Sequence, residues 1–275
     1  MRTSFYVCLI IGIYLAIAVP LNVFTYAKYC AGGTRTAENS VSDKDLNCNH
    51  CQEGILINEE NFPDPNFRSW LLKQDYGADG VITDDEIAGI TSIDFEKEWD
   101  TPNEERISTL EGIQYFTALT TLSCGYNALT SLDVSNNTAL TTLECYFNQL
   151  TSLEATKNTA LTTLECYCNQ LTRLDVTKNT ALTTLECSYN ALTRLDISKN
   201  TALTTLDCLG NQLTRLDVTK NTALTTLNCS NNQLTRLDVT KNTALAYLSC
   251  PDNQLTRLDV TKTRHWHTYL ALTTS

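Results

Sequence analysis

The sequence predicts a β-rich solenoid of 21-residue rungs carrying a parallel sheet, preceded by a small helical cap. Three observations carry this. The first is self-similarity: LTTLECYFNQLTSLEATKNTA, beginning at Leu140, recurs as LTTLECYCNQLTRLDVTKNTA from Leu161 and as LTTLECSYNALTRLDISKNTA from Leu182. Seven rungs start at Leu119, Leu140, Leu161, Leu182, Leu203, Leu224 and Leu245 with no insertion, and because one coil cannot cover its own leucines, such coils stack. The second is apolar alternation in each LxxLxC segment, which turns Leu143 and Cys145 inward and Thr142, Glu144 and Tyr146 outward on a short strand. The third is a charge break: residues 37–106 hold 18 acids and 5 bases, residues 107–275 hold 13 acids and 12 bases, so an acidic module precedes the repeats.

Composition narrows the function. The 275 residues are 42% hydrophobic and 19% charged, enough for a sizeable core. A net charge of -11 argues against nucleic acid or an anionic membrane as the main partner. Three histidines, His50, His265 and His267, leave few bases for Ser/His or Cys/His chemistry, and no nucleophile, base and orienting group converge, so no enzyme is expected.

Residues 1–27 read as a signal peptide: Arg2 precedes an uncharged run from Thr3 to Ala27, and Thr25-Tyr26-Ala27 offers a cleavage site. An uncleaved anchor is the alternative, since such a run could cross roughly 30 Å of hydrocarbon, and it is the one route to a membrane. The expected location is secreted or on the extracellular cell surface. Residues 28–53 form a polar linker with a CxxC pair, Cys48 and Cys51. Zinc needs a second ligand pair, so a disulfide is the better expectation for these and Cys30 in an exported chain.

Residues 54–106 form an acidic helix-loop module expected to cap the solenoid. Asp64-Pro65 starts a helix with Phe67, Trp70 and Leu71 on one face. The following DYGADGVITDDE resembles a calcium-binding EF-hand loop. That resemblance implies a structural calcium held by Asp75, Asp79 and Glu86, the Val81 carbonyl and Thr83, with Gly80 at the sharp turn. Gly77 departs from it, standing where a side-chain oxygen is expected, and Gly89 shortens the exit helix. No other cofactor is expected.

Residues 107–262 are the solenoid. Cys124, Cys145, Cys166, Cys187, Cys208, Cys229 and Cys250 share one slot, and Asn127, Asn148, Asn169, Asn190, Asn211, Asn232 and Asn253 another. The pattern LxxLxCxxNxL resembles the leucine-rich repeat, with cysteine in the third apolar slot. Upstream, Ile90-Thr91-Ser92-Ile93-Asp94 mimics the LTRLD segment, and LEGIQYF leads into the first rung. With the NTALTTL register and the export signal, these look like internalin-like bacterial surface and secreted proteins, which implies adhesion or host contact. The asparagines are expected to pair turn backbone along a column, and the cysteines to pack as small hydrophobes, because in-register side chains point in parallel and a bridge needs converging Cβ atoms. The branched column Val134, Val176, Ile197, Val218, Val239 and Val260 suggests a second extended wall.

Variation between rungs concentrates on the outward strand slots. Glu144, Glu165, Glu186 and Asp207 make an acidic stripe beside an aromatic cluster of Tyr126, Tyr146, Phe147, Tyr167 and Tyr189, contents suited to a protein-binding face. On the other wall Arg173, Arg194, Arg215, Arg236 and Arg257 each precede an aspartate by two residues, which reads as a solvated ion-pair lattice. Residues 263–275 lose the register and form an irregular end, expected to associate end to end. The expected function is that of an exported repeat protein binding another protein, on a host or neighbouring cell, through its strand face. The alternative is a structural or calcium-stabilised envelope spacer.

Overall fold

The computed structural model describes residues 26–30 and 51–259. Most of the expected signal peptide, Cys48, His50, His265, His267 and the irregular end at 263–275 lie outside the described residues. The chain divides into two units between Leu56 and Ile57. In the first, β1 (Tyr26–Cys30) runs antiparallel to β2 (Cys51–Leu56), with Cys30 opposite Cys51.

The second unit opens with helix α1 (Pro65–Leu71). Asp64 caps it, one carboxylate oxygen accepting from the amides of Asn66 and Phe67. Its other oxygen accepts from the Ser108 amide at 2.8 Å, the Ser108 hydroxyl at 2.7 Å and the Thr109 amide at 3.3 Å, so the helix cap also ties the module to the segment that leads into the first rung. Phe62, Phe67, Leu71 and Phe95 are buried behind it, and Trp70 meets Phe95 edge-on at 4.5 Å. A short turn, Asp75–Gly77, then leads to β3 (Val81–Thr83) and helix α2 (Asp84–Gly89).

The next segment corrects one expectation. Ile90–Asp94 does not echo LTRLD; Ser92–Asp94 is strand β4, at the edge of the main sheet, with Ile93 opposite Leu122. The burial pattern explains this: Ile90, Ile93 and Phe95 are inside, as Leu119, Leu122 and Cys124 are in the next coil. Phe95 thus occupies the thiol slot, and its amide donates to the Ser123 carbonyl as those of the ladder cysteines from Cys124 to Cys229 do to the following rung.

The main sheet then continues in parallel through β5 (Thr121–Ser123), β6 (Thr142–Glu144), β7 (Thr163–Glu165), β8 (Thr184–Glu186), β9 (Thr205–Asp207) and β10 (Thr226–Asn228) to β12 (Tyr247–Ser249). Its leucines stand in register from Leu122 to Leu248. The other wall contains no helix among the described residues. It pairs only where β11 (Leu237–Asp238) meets β13 (Leu258–Asp259) and where Asp133 bridges Glu154. Asp175, Asp217 and Asp238 accept from the amide and hydroxyl of the threonine two residues on, closing a turn after this wall. Their carboxylates serve these turns first, and the charges of Arg173 and Lys178 beside Asp175, and of Arg236 and Lys241 beside Asp238, add to the lowering of their pKa.

Columns run through the stack. The ladder cysteines are buried free thiols, and burial pushes those of Cys145, Cys166, Cys187 and Cys208 well above their ordinary pKa. Each ladder asparagine leaves the strand and satisfies backbone on two rungs. The Asn148 Nδ2 donates to the carbonyls of Cys124, Cys145 and Tyr146, and its Oδ1 accepts from the Leu129 amide. A second asparagine column, not singled out in the sequence, runs from Asn137 to Asn242 at the turn in KNTA. These residues are fully buried; the Asn158 Nδ2 donates to Val134 and Asn137 carbonyls, both at 2.9 Å.

Candidate functional site

The strand exit creates the site. Just after the thiol the chain bends through a left-handed residue in every rung: Tyr126, Phe147, Cys168, Tyr189, Gly210, Asn231 and Asp252, with φ between 47° and 66°. That bend lets the following asparagine reach back under the strands. It also stands the residue at the bend beside the one before it, so two neighbouring columns of variable side chains interleave.

Four rings lock together there. Tyr126 stacks on Phe147 at 4.4 Å, Tyr146 stacks on Tyr167 at 4.6 Å, and the two pairs meet edge-on, with Phe147 5.6 Å from Tyr167. Edge-to-face and offset contacts of this kind hold rings rigid. Phe147 is 39% exposed and Tyr189 54%, whereas Tyr126 and Tyr167 are half-buried. Tyr146 differs from its expected exposure: it is only 8% exposed. Gly125 is the reason, since a Cβ there would lie 2.6 Å from the Tyr146 ring, which lies down over the bare backbone. Tyr189 covers Gly210 similarly. Tyr247, 39% exposed on the last strand, was not anticipated; its signal was the change from TTL to AYL in that rung.

Beside the rings, Glu144, Glu165, Glu186 and Asp207 stand opposite one another on adjacent strands. Burial pushes the Glu165 carboxyl up to about 7, and the charges of Glu186, Glu144 and Glu96 add to it. Glu186 is raised by burial and by Asp207. Asp207, in contrast, accepts from the Ser188 hydroxyl at 2.8 Å and the Leu209 amide at 3.0 Å. Glu96, from the cap, approaches the Tyr146 hydroxyl and the Ser123 hydroxyl and lengthens the stripe.

The calcium expectation meets a different geometry. The Glu86 carboxylate accepts from the amide and hydroxyl of Thr83 and closes a capping box on α2, and Asp79 accepts from the Val81 amide. Asp75 and Asp79 are exposed, and among the described residues no three His, Cys, Asp or Glu side chains gather around one point. Gly77 is glycine for a packing reason: a Cβ would lie 2.2 Å from the Leu71 carbonyl oxygen. The side chains as placed thus do not fit a calcium ion.

No protein-family model matches the chain, and no curated protein does. Solved structures do match. Internalin C2 from Listeria monocytogenes is 25% identical with a TM-score of 0.59, over 74% of this chain and 90% of that one. A leucine-rich-repeat protein from Leptospira interrogans is 23% identical with a TM-score of 0.58, over 66% of this chain and 50% of that one. The functional domain of InlJ from Listeria monocytogenes, which includes a cysteine ladder, is 36% identical over 74% of this chain and 54% of its own, with a TM-score of 0.46. The chain spans about half the length of the InlJ and Leptospira structures. By its 21-residue spacing, its parallel sheet and the matches to internalin C2 and the Leptospira protein, the chain is a leucine-rich-repeat β-solenoid whose structural neighbours include internalins.

Proposed function

We propose that this chain is an exported repeat protein that holds another protein on its strand face, in adhesion or in contact with a host or neighbouring cell. One observation carries the reading. Gly210, Asn231 and Asp252 are residues that left-handed backbone accepts readily, yet the same slot holds Tyr126, Phe147 and Tyr189. A bulky side chain there costs about 1–2 kcal/mol. Aromatic rings set against the backbone's preference, rigid and partly exposed, suit recognition better than they suit the scaffold. The fold supports this, since stacked repeats present long continuous surfaces and internalin-like repeats are commonly protein-interaction modules. Export rests on the apolar run Thr3–Ala27. Among the described residues, no helix is long and apolar enough to cross a membrane.

A photo-crosslinking side chain at position 147 or 189, and for comparison at Arg215 on the other wall, tests the reading on intact cells. The expected result is a discrete crosslinked protein from the first two sites and none from the third. Equal, diffuse labelling from all three would favour the spacer.

A further inference from the structure

The strand face carries exposed rings and a row of like charges, and the charges say what covers it. Glu144, Glu165 and Glu186 pair in register on neighbouring strands about 4.8 Å apart. All three are half-buried, and among the described residues no hydrogen bond or ion pair satisfies their carboxylates. Among the described residues no base pairs with them: the arginines from Arg173 to Arg236 stand on the other wall, each two residues before a turn aspartate. Tyr167 lies close enough to Glu165 and Glu186 to feel both charges, so ring and carboxylates form one surface.

Resting on the strand-face reading above, we propose that the occupant is cationic: an extended segment of another protein that lays two or more arginine or lysine side chains over the Glu144, Glu165 and Glu186 column, beside the Tyr167 and Tyr189 rings. The physical argument is complementarity. An anionic partner adds to the repulsion within the column, and a neutral one covers the carboxylates without relieving it. A guanidinium or ammonium both neutralises the column and gains a ring face, and arginine can do so with a planar group that stacks. The held-up ionisation of Glu165 is consistent with a column that lacks counter-charge until it is covered.

The test titrates the full chain with a synthetic peptide alternating arginine and glycine, and with the glutamate-glycine counterpart. The arginine peptide binds and the glutamate peptide does not. Combined E144Q, E165Q and E186Q weakens arginine-peptide binding about tenfold, and Y189A weakens it about threefold. The glutamine triple relieves like-charge repulsion, so its melting temperature does not fall. Combined E104Q, E105Q and E111Q on exposed positions of the cap and its junction changes net charge equally and leaves binding unaltered. Equal loss from both triples, or no binding of the arginine peptide, overturns the proposal. If crosslinks from positions 147 and 189 persist in that case, the face binds a partner that is not cationic; if they too are absent, the strand-face reading falls with it.

Discussion

Glu165 and Asp64 are carboxylates moved in opposite directions by what surrounds them. Burial, then Glu186, Glu144 and Glu96, raise Glu165 to about 7, so the folded chain keeps a proton that the unfolded chain has lost. Its contribution therefore makes stability fall as pH rises from about 4 to about 7. E165Q should remove that slope: at pH about 8 its melting temperature should exceed that of the parent, and the two should converge toward pH about 4. Burial also opposes ionisation of Asp64, but the Ser108 amide, the Phe67 amide, the Ser108 hydroxyl and the Thr109 amide outweigh it and lower its pKa. That stabilisation is complete above the unfolded value near 4 and is lost as pH falls through the folded one. Melting curves across this range should show a maximum between the two windows. Cys168 offers a second residue-level test. It is half-exposed whereas the ladder thiols are buried, so among the solenoid cysteines it alone should react with a thiol reagent before unfolding.

Within one rung, the two asparagines do unequal work. N169L orphans the Leu150 amide and takes one donor from each of the carbonyls of Cys145, Cys166 and Tyr167, whereas N179L takes one donor from each of the Ala155 and Asn158 carbonyls, which keep the Asn158 and Leu161 amides. A buried amide left without an acceptor costs about 1–3 kcal/mol, so N169L should lose stability in urea, and more than N179L, which leaves no backbone group unpaired. Their visibility in sequence differed for a physical reason. The first column follows the strand, where an unpaired amide is expected, while the second stands in an NTA turn that looks exposed until the rungs are stacked. Helix α2 is the other element to test. Because Glu86 closes the capping box with Thr83, melting should be the same in calcium and in chelator. A rise with calcium would mean that Glu86 leaves the cap for an ion. The loop's resemblance lay in residue types at spacings, and neither shows that the last carboxylate turns toward its own helix.

Across the whole molecule, stacking makes every slot a column, and the ends decide how the columns begin. At the amino-terminal end of the sheet, β4 adds a strand and Phe95 replaces the thiol, with Phe67 and Trp70 packed on it. Uncovered leucines would otherwise face water there, as terminal repeats must avoid. The same stacking sets charge against charge: one wall collects carboxylates in register and the other arginines, because identical rungs repeat identical side chains. The side chains that differ most from rung to rung gather at the strand exit.

The sequence by itself determined the rung length, the parallel sheet, the buried leucine and thiol columns and the asparagine ladder. It could do so because a residue in a perfect repeat meets its own counterpart one period away. Tertiary structure alone decided that Tyr146 lies buried on Gly125, that Ile93 adds a strand, that the wall aspartates accept from the threonine two residues on, and that Glu86 caps its helix. Those outcomes depend on contacts between unlike neighbours, at the cap or between adjacent rungs, where no period constrains what a side chain will touch.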